Sequence, residues 1–264
     1  MRIGFIGCGN MARAMIGGML GSGLVEQADM IASAKTQATR ERISSELGIC
    51  AAQTNREVLG FADLVFLAVK PQFLEEVLSE LRDAVRPGQI FVSLAPGKTL
   101  DWLAGRLGET AKIVRTMPNT PAMVGAGMTA LCANANTTEQ EVELVCRLCD
   151  TFGRTEVVPE RLMDVVVGVS GSSPAYVFLF LEAMADAAVA DGMPRAQAYQ
   201  FAAQAVLGSA KLLLETGKHP GELKDMVCSP AGTTIEAVRV LEEKGFRSAV
   251  IEAQKACVSM ARGL

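Results

Sequence analysis

Six residues near the start constrain this chain more than any others. Gly7-Cys8-Gly9-Asn10-Met11-Ala12 follows directly on the run Arg2 to Ile6 and leads into a helical stretch from Met11 to Leu20. The first glycine permits a tight turn and the second lets backbone approach a pyrophosphate. The third position needs only a small residue for helix–strand packing, which Ala12 supplies. The helix N-terminus then offers unpaired N–H groups and a positive dipole end to phosphate. A glycine-rich turn by itself is common; strand, turn and helix in this order make a dinucleotide-binding loop.

The rest of the first half keeps a matching rhythm. Apolar runs at Ile3 to Ile6, Met30 to Ala32, Leu64 to Val69, Ile90 to Leu94 and Ile113 to Val114 alternate with amphipathic stretches, as in βαβ units. Leu64 to Val69 is continuously apolar, which suits a central strand covered on both faces, and Lys70-Pro71 ends it. Thr138 and Glu141 have capping-box spacing, followed by Val142, Val145, Cys149 and Phe152 at helical steps. Thr155 to Val158 reads as a last strand at the sheet edge. The expectation is an α/β fold: a Rossmann-type, doubly wound, mostly parallel sheet over residues 1–159, then an all-helical domain over 160–264.

In that second part Pro174 to Ala190 is apolar nearly all round, so the helix should be buried within a domain or at a subunit interface. Asp191-Gly192 ends it, Pro194 opens the next helix to about Thr216, and two further helices centre on Ile235 to Leu241 and Val250 to Met260.

Composition excludes several classes. A formal net charge of -4 gives no reason to expect a polyanion, so nucleic acid is not an expected partner. Asn10 and Arg13 interrupt the N-terminal apolar stretch, which argues against a signal peptide. No uninterrupted apolar run reaches the roughly eighteen residues of a spanning helix, so no membrane span is expected. Seven scattered cysteines fit reduced thiols in a cytoplasmic protein. Cys146 and Cys149 form one C-x-x-C, but a single histidine, His219, leaves too few ligands for zinc, and no metal is expected.

The end of the second strand selects the cofactor. An acid there would bind the ribose 2′-hydroxyl of NAD; the chain has Ser33-Ala34-Lys35-Thr36 with Arg40 nearby. Hydroxyls and cations fit a 2′-phosphate, so NADP(H) is preferred with NAD(H) possible, while Lys35 and Arg40 are also readable as solvated charges. Lys70 has two readings: a contact in the cleft at the strand ends, or a cap on exposed carbonyls. Ser229-Pro230-Ala231-Gly232-Thr233-Thr234 precedes a helix and is readable as ordinary capping or as a small anion site whose N–H groups meet a carboxylate. Tyr176 reads as core, and Ser172 and Ser173 as helix-start residues rather than nucleophiles, since no base stands near them in sequence.

Taken together, IGCGNMA, LAVKPQ at 67–72, MPNTPA at 117–122, VSGSSPAYVF at 169–178 and SPAGTTIEAV at 229–238 resemble the pyrroline-5-carboxylate reductase family over essentially the whole chain. The resemblance implies reduction of the C=N bond of 1-pyrroline-5-carboxylate to give L-proline. It implies that Gly7, Cys8, Gly9, Asn10, Met11 and Ala12 bind the pyrophosphate and that Ser33 with Asn55 holds the 2′-phosphate end. Ala68, Val69, Lys70 and Pro71, with Leu94, Ala95 and Pro96, would line the nicotinamide half. Ser229, Gly232, Thr233 and Thr234 would hold the substrate, with Thr234 as the catalytic residue near the imine nitrogen. Pro96 departs from the small residues commoner in the family, and Thr233 stands where some members have alanine, so its hydroxyl is not essential. Dimers through the helical domains, or higher rings, are expected. Competing readings are a related imine reductase, a β-hydroxyacid dehydrogenase, or an NADP(H)-binding sensor without turnover; Lys211 is the only lysine within the long helices to serve as a dehydrogenase acid/base.

Overall fold

The computed structural model describes residues 1–263. The elements run β1 (Ile3–Ile6), α1 (Asn10–Gly21), β2 (Met30–Ser33), α2 (Gln37–Arg42), β3 (Cys50–Ala52), α3 (Asn55–Phe61), β4 (Leu64–Leu67) and α4 (Pro71–Leu81). Then follow β5 (Ile90–Ser93), α5 (Leu100–Leu107), β6 (Lys112–Met117), β7 (Gly127–Ala133), α6 (Glu139–Asp150) and β8 (Gly153–Val157). The remaining elements are helical: α7 (Met163–Val166), α8 (Ser173–Ala190), α9 (Arg195–Thr216), α10 (Pro220–Val227), α11 (Thr233–Glu243) and α12 (Phe246–Ala261).

The strands form one sheet of order β3-β2-β1-β4-β5-β6-β7-β8, parallel throughout except for the antiparallel pair β6 and β7. Side-chain alternation sorts each central strand into two layers. Ile3, Phe5, Leu64 and Phe66 join Met15, Ile16 and Met19 of α1 and Val145 and Leu148 of α6 on one face. Ile6, Val65 and Leu67 join Val58 of α3, Leu74 and Leu78 of α4 and Leu103 of α5 on the other. Phe5 and Phe66 stack across the β1–β4 pair with centroids 4.6 Å apart. Coverage of both faces explains why these strands lack a polar side.

Several boundaries differ from the sequence reading. β4 stops at Leu67 rather than Val69, because Ala68 and Val69 turn over the glycine loop, with the Ala68 N–H on the Ile6 carbonyl at 2.9 Å. β6 extends to Met117, well beyond Val114, since β7 pairs with it along Val114 to Met117. Neither β7 nor the three-residue β3 was expected. β8 lies at the sheet edge as expected, spanning Gly153–Val157.

The chain divides into two compact units: Met1–Ser172 with the C-terminal stretch from Cys257 onward, and Ser173–Ala256. The expected break at 159/160 falls before the helical segment Glu160 to Gly171, which this division assigns to the first unit. There Arg115 of β6, with its side chain 5% exposed, pairs with Glu160 at 3.2 Å and Asp164 at 3.4 Å. In the second unit α8 and α9 pack together, yet α8 buries only Ala185 and leaves Phe178 and Leu179 65% and 68% exposed. The stretch Glu160–Ala190 is long and apolar enough to cross a membrane by length and composition alone, a property it shares with core helices.

Candidate functional site

The glycine loop sits where the chain reverses direction across the sheet. β1 lies between β2 and β4, so the connections after β1 and β4 leave to opposite sides and open a crevice at the carboxyl ends of the strands. Gly7 has φ +91°, and its N–H donates to the Ser33 carbonyl at 3.1 Å. The Leu94 N–H donates to the Leu67 carbonyl at 3.2 Å, so the ends of β1, β2, β4 and β5 converge.

Gly9 is the N-cap of α1, with extended backbone and no side chain satisfying the first-turn N–H groups. A β-carbon there would project into open space. Open space above unshared N–H donors is what a pyrophosphate requires. Ala12 is fully packed beneath the loop, whereas Asn10 is exposed. Burial pushes the Cys8 thiol up to about 11 against the pull of Arg13 and Arg42, so Cys8 contributes packing and backbone rather than a nucleophile.

Beside the loop lies a depression of about 370 Å³ lined by Gly7, Ser33, Lys35, Arg40, Asn55 and Val69. The Ser33 hydroxyl donates to Asn55 Oδ1 at 2.7 Å. The Arg40 guanidinium donates to the Ala34 carbonyl at 2.7 Å, and Lys35 Nζ lies 5.3 Å from the Phe73 ring centroid. Both cations therefore border the depression, which fits a 2′-phosphate. Sequence reasoning missed Thr54, Phe73, Glu76 and Glu80, which also line it. Phe73, Glu76 and Glu80 share the face of α4 opposite the buried Leu74, Leu78 and Leu81, a helical spacing already visible after Pro71. A larger hollow over Gln37, Glu41 and Ser44 lies along α2 and shares Arg40 with this depression, but it includes neither the glycine loop nor Ser33 and Asn55.

Lys70 is the N-cap of α4 through its backbone, with Pro71 at the first helical position and its carbonyl accepting from the Phe73 N–H at 2.9 Å. Its side chain is exposed. After β5, Ala95 is buried and Pro96 exposed, and Gly97 takes φ +71° to turn the chain.

In the second unit, Ser229 to Thr234 joins α10 to α11. Among the described residues Ala231 is the one non-glycine residue with positive φ, at +55°, and the Gly232 N–H donates to the Ser229 carbonyl at 3.0 Å. A β-carbon on Gly232 would meet Ser229 Oγ at 2.3 Å and the Ser229 carbonyl oxygen at 3.1 Å, so any side chain there would turn the Ser229 hydroxyl aside. Gly232 is the N-cap of α11 and no side chain caps it, although Ser229, Thr233 and Thr234 all stand nearby in sequence. No hydroxyl caps the helix, so the first N–H groups of α11 are left without a side-chain acceptor, as at a helix start able to take an anion.

His219, by contrast, is consumed locally: its Nδ1 accepts from the Gly221 N–H at 3.1 Å as the N-cap of α10, a helix the sequence reading missed. Ser172 Oγ accepts from the Cys257 thiol at 3.2 Å. All seven cysteines are free; burial raises the Cys149 thiol, the second of the C-x-x-C pair. Among the described residues no group of three or more His, Cys, Asp or Glu side chains is arranged to hold a metal.

A glycine loop at the reversal point of a parallel sheet, with a helix N-terminus above it, defines a dinucleotide-binding protein of the Rossmann class. Comparison with known proteins narrows this. The family described as NADP oxidoreductase coenzyme F420-dependent matches residues 2–97, and that described as pyrroline-5-carboxylate reductase dimerisation matches residues 160–264. The pyrroline-5-carboxylate reductase of Escherichia coli (strain K12) is 55% identical over 263 residues, covering 100% of this chain and 98% of its own length. The solved pyrroline-5-carboxylate reductase of Coxiella burnetii superposes with TM-score 0.93 at 35% identity, covering 99% of this chain and 97% of that one. That of Plasmodium falciparum, with NADP bound, gives TM-score 0.90 at 26% identity over 100% and 97%. The chain belongs to the pyrroline-5-carboxylate reductase family.

Proposed function

We propose that the chain reduces the cyclic imine 1-pyrroline-5-carboxylate to L-proline with NADPH, accepting NADH less well. The observation that carries this reading is the 55% identity to the Escherichia coli enzyme over the whole chain. The uncapped turn at Gly232 suits a substrate carboxylate, and the dimerisation family matched over residues 160–264 favours the pyrroline reading over a β-hydroxyacid dehydrogenase.

Bound NADPH supplies the hydride. The backbone from Gly7 to Ala12 holds the pyrophosphate, and Ser33, Lys35 and Asn55 face the 2′-phosphate. Ala68, Val69, Lys70 and Pro71, with Leu94, Ala95 and Pro96, border the nicotinamide half. On the substrate side the Ser229 hydroxyl and the N–H groups of Gly232, Thr233 and Thr234 grip the carboxylate. The Thr234 hydroxyl sits at the ring nitrogen and orients it. A protonated imine accepts hydride readily and becomes a neutral amine, so positioning matters more than a strong acid. This agrees with a chain whose one histidine is spent on a helix cap.

The exposed apolar face of α8 is taken up by self-association rather than by a bilayer, as the dimerisation family matched over the same residues supports. Dimers through the helical unit, assembled further into rings, act in the cytoplasm, without nucleic acid as a partner.

The test is NADPH absorbance with purified protein and racemic pyrroline-5-carboxylate, beside the Thr234→Ala variant. Rapid oxidation by the wild type and a loss of about a hundredfold or more in the variant is expected. NADPH that binds but is never oxidised contradicts the reading.

A further inference from the structure

We propose that Glu80 sets the balance between NADP(H) and NAD(H), acting through Asn55 and Ser33; the inference rests on the dinucleotide site described above. Glu80 lies near the end of α4 and accepts from Asn55 Nδ2 at 3.0 Å. The Arg56 guanidinium, on the same segment as Asn55, donates to the Glu80 backbone carbonyl at 2.7 Å and tethers the helix end there. A carboxylate offers only acceptors, so the NH₂ of Asn55 must face it and Oδ1 is left for Ser33. The Ser33 hydroxyl proton is then committed to Asn55, at 2.7 Å. What Ser33 presents to the depression is lone pairs.

Lone pairs suit a ribose 2′-hydroxyl, which donates. A 2′-phosphate needs donors, and in this arrangement it loses one from Ser33 and meets the Glu80 carboxylate as a like charge. Glu76 adds a second acid to the lining, opposed by Lys35 and Arg40. The depression is thus cationic at the β2 end and acidic along α4. In NAD-selective Rossmann sites an acid at the end of the second strand excludes the 2′-phosphate; here Lys35 and Arg40 keep NADP(H) preferred, and Glu80 of α4 tempers that preference through an amide relay. Glu80 is a positioning residue, not a catalytic one.

Glu80→Gln keeps the size but supplies a donor, which lets the Asn55 amide turn and frees the Ser33 proton for phosphate. Titration calorimetry with NADP⁺ and NAD⁺ should show NADP⁺ binding about tenfold tighter and NAD⁺ binding unchanged or slightly weaker. Glu80→Ala should shift the ratio the same way, and Ser33→Ala in the Glu80→Gln background should erase most of the gain. In steady-state assays the KM for NADPH should fall while the KM for NADH does not. Equal shifts for both dinucleotides, or none, would overturn the proposal by reducing Glu80 to a surface partner of Asn55. Failure of the wild type to bind either dinucleotide would overturn it together with the cofactor site. Normal selective binding without pyrroline reduction would sink the proposed reaction alone and leave the role of Glu80 standing.

Discussion

Gly7 and Ala68 approach so closely that a β-carbon on Gly7 would stand 2.8 Å from the Ala68 carbonyl oxygen. The ends of β1 and β4 therefore meet backbone to backbone, and the crevice for the cofactor opens from that contact. Gly7→Ala must both adopt φ +91° and displace backbone, costing at least about 1–3 kcal/mol. Gly9→Ala adds a methyl that meets nothing in the chain, so it should unfold like the wild type yet bind NADPH at least about tenfold more weakly. Urea unfolding and NADPH titration of the two variants check this; loss of stability in Gly9→Ala would contradict the assignment of that open space to a ligand.

Arg115 ties the sheet to the segment that follows it. Its guanidinium, nearly buried, faces Glu160 and Asp164, whose side chains are 32% and 31% exposed. Removing the cation leaves two carboxylates together, but their partial hydration moderates the penalty. Arg115→Met should destabilise by about 2 kcal/mol, below the cost of a fully buried pair. A change under about 0.5 kcal/mol in urea unfolding would mean the pairs contribute nothing.

How far the fold can be read in advance depends on how much of its signal is local. The glycine loop, β4 and the Thr138–Glu141 capping box announce themselves because turn chemistry, continuous burial and cap spacing all lie within a few residues. β7 escapes because its antiparallel pairing with β6 is non-local and its residues, Gly127 to Ala133, carry no alternation. β3 is only Cys50 to Ala52, too short for any period. α10 was hidden behind Lys218-His219-Pro220, where the imidazole cap and Pro220 mark a helix start that reads as loop. At the site, Ser33 is legible at the end of the second strand and Asn55 through resemblance, but Glu80 is not, since only the folded chain brings α4 beside them.

Buried thiols make the first unit sensitive to alkali. Burial raises Cys8 and Cys132 from 9.0 to about 11. A raised acid keeps its proton longer in the folded chain than in the unfolded one, so stability is full below pH 9 and falls between pH 9 and 11. Each thiol contributes a loss of about 2 kcal/mol over that window. Unfolding midpoints at pH 8 and pH 10.5 should separate markedly, and Cys8→Ala should narrow the gap. An unchanged gap in that variant would remove Cys8 from the account.

Phe178 and Leu179 stand out from α8 with most of their surface uncovered in the single chain. Light scattering should find the wild type as a dimer or larger, and Phe178→Lys should shift it towards monomer with reduced activity. A wild type that remains monomeric at micromolar concentration would contradict the reading of this face.

The central claim is transfer of hydride to a ring C=N bond, and isotope tracing tests it most directly. Incubating the protein with racemic pyrroline-5-carboxylate and NADPH deuterated at C4 on the transferred face should give L-proline carrying a single deuterium at C5, detected by mass spectrometry and proton NMR. Proline without deuterium, or cofactor oxidised with no proline formed, would contradict the account.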